Sequence, residues 1–289
     1  MKVDLCTWTK NGAKMLIPVL ERIEHVIPFE EVGEKIAVDD SSVDSTVKIL
    51  KEFNWKVYPN RRGFINGGTK EALRHVKAEF FISVEQDVLL CTKWWDIVPK
   101  HMNDEIVAVA QGIEISTNRA ERGFERLQLK KLRQTRLEER SKKWYSIGNN
   151  IYRSKIVRNL GFVEDTIAME PFYKKITSHG FKWITDINAI STHIHGNLFN
   201  AARRTARFYS LTRENTYLDN MRTYRYFVIL AFSPVQGFRY ALKTNEPTVQ
   251  LLYMLRSLAL TSTFFQRRQR RLNNLRRTKT KIMVKTNSD

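Results

Sequence analysis

Short apolar runs alternate with amphipathic segments of helical length over the first 115 residues. The apolar runs predict five strands, at residues 3–8, 35–38, 55–58, 80–84 and 106–111. Apolar positions that recur every three or four residues predict four helices, at 13–26, 44–53, 67–76 and 93–101. This alternation predicts an α/β fold with a doubly wound, mostly parallel sheet flanked by helices.

The chain becomes more basic after residue 116. Residues 117–143 hold ten Lys or Arg and four Asp or Glu, and their apolar residues have a near-helical spacing. This pattern is typical of a solvated amphipathic helix. A return strand with a glycine bend is predicted at 145–153, and short strands are predicted at 181–185 and 189–193. The α/β pattern therefore continues to about residue 200.

A basic and aromatic region follows at 201–265. Its apolar segments, 226–238 and 249–265, are interrupted by Pro and Gly in the first and by Arg256 in the second. Neither offers the roughly twenty uninterrupted apolar residues of a spanning helix. They are either helices packed on the α/β domain or interfacial helices with apolar faces in lipid. The tail 266–289, with nine cations and one acid, predicts a mobile segment attracted to anionic lipid.

Pairs of acids stand directly after two of the predicted strands. Asp39 and Asp40 follow the second strand, and Glu85 and Asp87 follow the fourth. Ligands of open α/β sheets bind at the carboxyl ends of strands. Carboxylates there suit the base and ribose of a sugar nucleotide, and an acid-x-acid triplet can hold a divalent ion against a diphosphate. The simpler alternatives are a capped turn for the first pair and a solvated loop for the second.

Charge and cysteine content narrow the class of protein. Residues 1–116 have a net charge of −3 and residues 117–289 a net charge of +22, so the basic surface belongs to the second part of the chain. With only two cysteines, Cys6 and Cys91, no disulfide framework is indicated and a reducing compartment is expected. The N-terminus lacks the pattern of a secretory signal. The expected location is therefore cytoplasmic.

Four segments, in this order, resemble the family 2 glycosyltransferases of the GT-A fold. They are the first strand and its loop at 3–11, the D-D-x-S-x-D-x-T pattern at 39–46, the arginine-glycine loop and helix at 60–73, and the G-F-x-E-D segment at 161–165 with its G-x-x at 180–182. The resemblance covers roughly residues 1–200. It implies a GT-A catalytic domain there, with a nucleotide-binding half at 1–115 and an acceptor half at 116–200, followed by a basic helical appendage.

The resemblance also implies roles for particular residues. The donor would be bound by Thr7, Thr9, Asp39, Asp40, Arg62 and Glu85. Mg²⁺ or Mn²⁺ would be held by Asp87 and by a histidine, and Asp165 would be the general base. Glu85 departs from the family pattern, which usually has Asp at the first position of the triplet. An alternative for Asp165 is a favourable charge in the first turn of a helix.

Two histidines compete for the metal role. His193 and His195 lie one residue apart at the end of a predicted strand, so their rings should point to the same face. We expect His193 to be the ligand. The basic segment 117–143 has a second interpretation by resemblance, as a flap on the acceptor side whose cations face a phosphate or a membrane.

These expectations describe an inverting, metal-dependent glycosyltransferase. It would move a sugar from a nucleotide-diphosphate donor to a lipid-linked or glycan acceptor, while bound peripherally to an anionic membrane surface. A nucleotidyltransferase is an alternative, but it needs a glycine-rich, basic phosphate loop after the first strand. Residues 9–12 resemble such a loop only weakly. A nucleic-acid-binding protein is suggested by the pI near 10. No zinc spacing or RNA-binding motif supports it, and no nucleic-acid partner is expected.

Overall fold

The computed structural model describes residues 1–161, 170–202, 223–262 and 265. The chain folds into two compact units, Met1–Gly196 and Asn197–Asp289. The first unit contains the sheet, and the described part of the second is helical.

One eight-stranded sheet forms the centre of the first unit. Its strands are β1 (Val3–Thr9), β2 (Val32–Asp39), β3 (Lys56–Pro59), β4 (Phe80–Ser83), β5 (Val88–Leu89), β6 (Val107–Ser116), β7 (Asn150–Arg153) and β8 (Lys182–His193). They lie in the order β3-β2-β1-β4-β7-β6-β8-β5. β7 runs antiparallel to β4 and β6, and β5 antiparallel to β8, while the other neighbours are parallel. The predicted mostly parallel α/β sheet is therefore confirmed.

Helices cover both faces of this sheet. They are α1 (Ala13–Val26), α2 (Thr46–Glu52), α3 (Phe64–His75), α4 (Trp94–Ile97), α5 (Arg119–Arg133), α6 (Leu137–Arg140), α7 (Ser154–Leu160) and α8 (Glu170–Ser178). Successive strand residues point to opposite faces, so Leu5 joins the apolar cluster under α1 and α2, while Cys6 joins the cluster under α3, α7 and α8. The core is thus two apolar layers separated by the sheet.

Three elements differ from the sequence prediction. The two short strands predicted at 181–185 and 189–193 are one twelve-residue strand, β8. The pairing with β6 skips from Thr185 to Ile190 between Gln111 and Ile113. The extra residues of β8 are taken up as a bulge there, so the strand stays continuous. The helix predicted at 93–101 is short, and a 3-10 helix from Pro99 to Asn103 follows it. The two-residue strand β5 is too short to leave a pattern in the sequence.

The described part of the second unit contains a helical segment at 198–202 and the longer helices α9 (Thr223–Thr244) and α10 (248–262). The expected interruption at Pro234 does not occur. Proline lacks the N–H that would bond the carbonyl of Leu230, and the Ser233 hydroxyl donates to that carbonyl instead, at 2.7 Å. Within the described residues no helix is long and apolar enough to cross a bilayer. The tail 266–289 lies outside the described residues.

A buried carboxylate joins three segments at the amino-terminal edge of the sheet. Asp4 in β1 is 1% exposed, and its oxygens accept hydrogen bonds from the backbone N–H groups of Glu34 at 2.8 Å, Lys77 at 2.5 Å and Ala78 at 2.9 Å. Gly33 lies so close that a Cβ there would be 2.5 Å from the Asp4 carboxylate. Asp4 therefore fixes where β2 begins and where the connection from α3 enters β4.

We expect Asp4→Ala to destabilise the first unit by about 2 kcal/mol, because it leaves three part-buried backbone donors without their acceptor. Asp4→Asn retains the shape but offers one acceptor oxygen in place of two, so its loss should be intermediate. Urea denaturation of both variants measures the effect, with the exposed Asp96→Ala as control. A loss for Asp4→Ala no larger than that of the control would contradict this role.

Candidate active site

The loop after β2 is organised around Asp39. Its side chain accepts hydrogen bonds from the hydroxyl of Thr9 at 3.0 Å and from the backbone N–H and hydroxyl of Ser42 at 2.8 and 2.5 Å. Asp39 is buried, whereas Asp40 pairs with Lys10 at 2.8 Å and has a side chain 24% exposed. Asp39 thus shapes the loop, and Asp40 is the more accessible carboxylate on it.

Gln86, the middle residue of the acid-x-acid triplet, connects the loop after β1 to the loop after β4. Its side chain accepts from the Lys10 N–H at 3.0 Å and donates to the Lys10 carbonyl at 3.3 Å. A Cβ at Gly12 would overlap the Gln86 amide, so only glycine leaves room for this pairing. The loop after β1 and the loop after β4 therefore form one continuous rim.

An acidic cluster surrounds His193 at the carboxyl ends of β4, β6 and β8. The His193 Nε2 lies 3.3 Å from a carboxylate oxygen of Asp87 and 4.0 Å from one of Glu85. Its Nδ1 lies 3.4 Å from a carboxylate oxygen of Glu114. The pairing of β5 with β8 and a 2.7 Å bond from the Ile194 N–H to the Asp87 carbonyl hold these segments together. The structure thus brings the two predicted metal residues, Asp87 and His193, side by side.

His195 also faces this cluster. The rings of His193 and His195 are 3.8 Å apart between centroids, as the H-x-H spacing predicts. The His195 Nδ1 lies 2.6 Å from a carboxylate oxygen of Glu121 on α5 and 3.1 Å from the Ser116 hydroxyl. This pairing fixes the orientation of the His195 ring at the site.

Glu114 and Glu121 are site residues that the sequence analysis did not identify. Glu114 lies inside β6 and is 8% exposed, and Glu121 lies in the first turn of α5 and is 6% exposed. An acid within an apolar strand was the available signal for Glu114. Gly148 leaves open the space that Glu114 shares with Glu85, since a Cβ at Gly148 would lie 2.7 Å from the Glu85 side chain.

The cluster carries more negative charge than its surroundings neutralise. Burial, together with the charges of Asp87 and Glu114, raises the pKa of Glu85 to about 8. Burial alone would raise the pKa of Asp87, but the hydrogen bond and charge of His193 bring it below its usual value. Burial alone would lower the pKa of His193, but its hydrogen bonds to Asp87 and Glu114 and their charges raise it well above its usual value. His193 thus lies between the carboxylates and offsets part of their mutual repulsion.

This donor set fits a divalent metal ion. Two groups have ligand atoms within 4.8 Å of one another, namely Asp87 with His193 and His195, and Glu85 with Glu114 and His193. The Glu114 Oε1 is buried and has no hydrogen-bond partner among the described residues. Carboxylate oxygens with imidazole suit Mg²⁺ or Mn²⁺, so these groups could hold either ion.

The remaining predicted site residues lie elsewhere. Thr7 is buried within β1. Arg62 lines a separate cavity of about 400 Å³. The charged residues in the described lining of this cavity are all basic: Arg62, Lys70, Arg74 and Lys175. Asp165, the predicted base, lies outside the described residues. Arg62 therefore lies in the lining of a different cavity. The predicted residues that the structure brings together at one edge of the sheet are Thr9, Asp39, Asp40, Glu85, Asp87 and His193.

Comparison with known families decides the class of protein. The sequence model of glycosyl transferase family 2 matches residues 4–161, more than half of the chain. The chain belongs to glycosyl transferase family 2. It is accordingly a glycosyltransferase, and the nucleotidyltransferase and nucleic-acid-binding alternatives are set aside. No curated protein sequence matches it significantly.

Solved structures with the same fold are distant in sequence. The mannosyltransferase PcManGT of Pyrobaculum calidifontis, solved with GDP-Man and Mn²⁺, is 16% identical, with a TM-score of 0.61 over 89% of this chain and 86% of its own. TarS 1-349 of S. aureus, solved with UDP, is 15% identical, with a TM-score of 0.51 over 93% and 92%. GalNAc-T7, solved with UDP, GalNAc and Mn²⁺, is 14% identical, with a TM-score of 0.55 over 91% and 57%. The likeness confirms the GT-A fold.

The raised pKa of Glu85 predicts a pH-dependent stability in the absence of metal. The folded protein retains a proton on Glu85 up to about pH 8, whereas an unfolded chain releases it near the ordinary value of 4.5. Rising pH across this window therefore favours the unfolded state. In EDTA, the melting temperature of Glu85→Gln should exceed that of the wild type by a margin that grows between pH 5 and pH 8.

The matched control is Glu105→Gln, which changes an exposed carboxylate outside the cluster and should leave the profile unchanged. Parallel pH profiles for wild type and Glu85→Gln would show that Glu85 does not retain a proton on folding.

Proposed function

We propose that this glycosyltransferase inverts the anomeric centre and uses Mg²⁺ or Mn²⁺ to move a sugar from a nucleotide-diphosphate donor. The acceptor is a lipid-linked or glycan molecule, reached from the cytoplasmic face of a membrane to which the enzyme binds peripherally. The observation that carries the metal-assisted reaction is the cluster of Glu85, Asp87, Glu114 and His193 beside the Asp40 loop. Relatives of the same fold have been solved with nucleotide-sugars or Mn²⁺.

The nucleotide is bound by the rim that joins β1, β2 and β4. Asp40 accepts hydrogen bonds from the base or ribose and gives up its exposed pairing with Lys10 when it does so. Thr9 and Asp39 keep the loop in shape through their mutual hydrogen bond. Because these bonds exist before the donor arrives, the loop loses little conformational freedom on binding.

The metal is held by Asp87 and His193, with Glu85, Glu114 and His195 in the surrounding groups. When bound, the ion neutralises the charge that develops on the diphosphate as it leaves. Glu121 keeps the His195 ring in place through its contact with the His195 Nδ1. Glu85 also faces Trp8, whose indole N–H points to its carboxylate at 3.4 Å, so it stands between the rim and the metal residues.

The attacking hydroxyl is activated by Asp165. An inverting displacement needs a base on the face of the sugar opposite to the leaving group, and the resemblance assigns this position to the G-F-x-E-D segment. That segment connects α7 to α8 in the chain. If the acceptor is already an anion, such as a lipid phosphate, Asp165 orients it instead.

Asp87→Ala should abolish transfer and metal-dependent binding of nucleoside diphosphate while retaining the fold, since the residue is at the surface end of the cluster. A thermal-shift panel of UDP-, GDP- and dTDP-sugars with Mn²⁺ identifies the donor, and calorimetry then compares wild type, Asp87→Ala and the exposed control Asp96→Ala. Full activity of the wild type in EDTA, or of Asp87→Ala in Mn²⁺, would remove the metal from the proposal.

Asp165→Asn should retain donor affinity and lower turnover by about 100-fold or more, the loss expected when a positioned base is removed. Hydrolysis of the identified nucleotide-sugar, with water in place of the acceptor, gives turnover, and calorimetry gives the donor affinity. If affinity collapses while turnover at saturating donor survives, Asp165 binds the donor and the base is another residue.

A further inference from the structure

The second unit exposes large apolar side chains along one helix. On α9, Phe232, Val235, Phe238 and Leu242 are 59%, 58%, 52% and 67% exposed. Their spacing of three and four residues places them on one side of the helix. Helices of soluble domains have the opposite arrangement, with the polar face towards solvent. We call these four residues the outer face.

The other side of α9 is occupied by α10. Gly237 is buried, and a Cβ there would lie 2.9 Å from the backbone carbonyl of Gln250. Tyr240 stacks on Tyr253 with ring centroids 5.5 Å apart. The two helices thus form a hairpin packed through small and aromatic residues. Since α10 uses that side, it does not cover the outer face.

The charge of this region selects among the partners that could cover the outer face. Residues 223–289 contain thirteen Lys or Arg and two acids. A second copy of the chain would bring the same positive charge against it, which opposes association. An anionic bilayer surface neutralises that charge and also receives apolar side chains. The exposed Arg239 and Lys243, each next to an outer-face residue, are placed for the phosphate level of such a surface.

We propose that the outer face of α9 is a membrane-binding surface that inserts into the interface of a bilayer containing anionic phospholipid. It binds by apolar burial from Phe232, Val235, Phe238 and Leu242 and by attraction of the surrounding cations to lipid phosphates. The surface supplies the membrane contact of the proposed function. It rests on the peripheral membrane binding of the proposed function but uses no residue of the acidic cluster, so the proposed metal-assisted transfer can stand if this surface fails.

The test is flotation of the full-length protein with vesicles of phosphatidylcholine alone or with roughly 30% phosphatidylglycerol, the kind of anionic surface that attracts basic segments. The wild type should float with the anionic vesicles only and be partly released by high salt. The triple variant Phe232→Gln, Val235→Gln, Leu242→Gln should lower the bound fraction roughly tenfold, because apolar burial is lost. These positions are exposed, so the fold should persist in circular dichroism.

A matched control replaces three exposed apolar residues of the first unit, Ile17→Gln, Phe29→Gln and Ile106→Gln. It removes a similar amount of exposed apolar surface and should float as the wild type does. A second variant, Arg239→Gln with Lys243→Gln, should weaken binding to the anionic vesicles and reduce its salt dependence. Nucleotide-sugar hydrolysis in solution should be the same for all variants, which separates this surface from the catalytic proposal.

Three results would overturn the proposal. They are a wild type that floats with neither vesicle, an outer-face triple variant that floats as well as the wild type, and a lipid-free wild-type dimer that this variant converts to a monomer in light scattering. The last result would assign the outer face to a second copy of the chain.

Discussion

The mutual repulsion of carboxylates at the strand ends is the constraint on which the site depends. Glu85, Asp87 and Glu114 occupy a half-buried space in which Coulomb energies are larger than in water. The folded chain accommodates them by protonating Glu85 and by placing His193 between Asp87 and Glu114. Keeping a proton on Glu85 above its ordinary pKa costs free energy of folding. A local cost of this kind is typical of sites built for a ligand that is a cation.

Under the proposed mechanism the same repulsion couples the metal to the donor. A nucleoside diphosphate is an anion, and without a cation it would approach a rim that already carries Asp40, Glu85 and Asp87. The cation reduces this repulsion, so each of the two ligands raises the affinity of the other by the same factor. The carboxylates thus make donor binding conditional on the metal.

The sequence predicted the parts of the site that lie at strand ends and missed those that depend on strand pairing. Asp39, Asp87 and His193 each follow or end a strand, and a strand end can be recognised from one short segment. Glu114 faces His193 only because β6 and β8 pair in parallel with a shifted register, a relation between residues almost eighty positions apart. The continuity of α9 through Pro234 was likewise missed, because it depends on one hydroxyl that replaces a backbone donor.

The distribution of charge along the sequence bears on both proposals. A site that binds a cation needs negative potential, and a surface that binds anionic lipid needs positive potential. If both were interleaved on one surface, each would weaken the other within a distance of about 10 Å, the screening length at moderate salt. In this chain residues 1–116, which supply Asp40, Glu85, Asp87 and Glu114, have a net charge of −3, while the cations follow later. Under the two proposals, the carboxylates that hold the cation and most of the cations that attract lipid therefore come from different parts of the sequence.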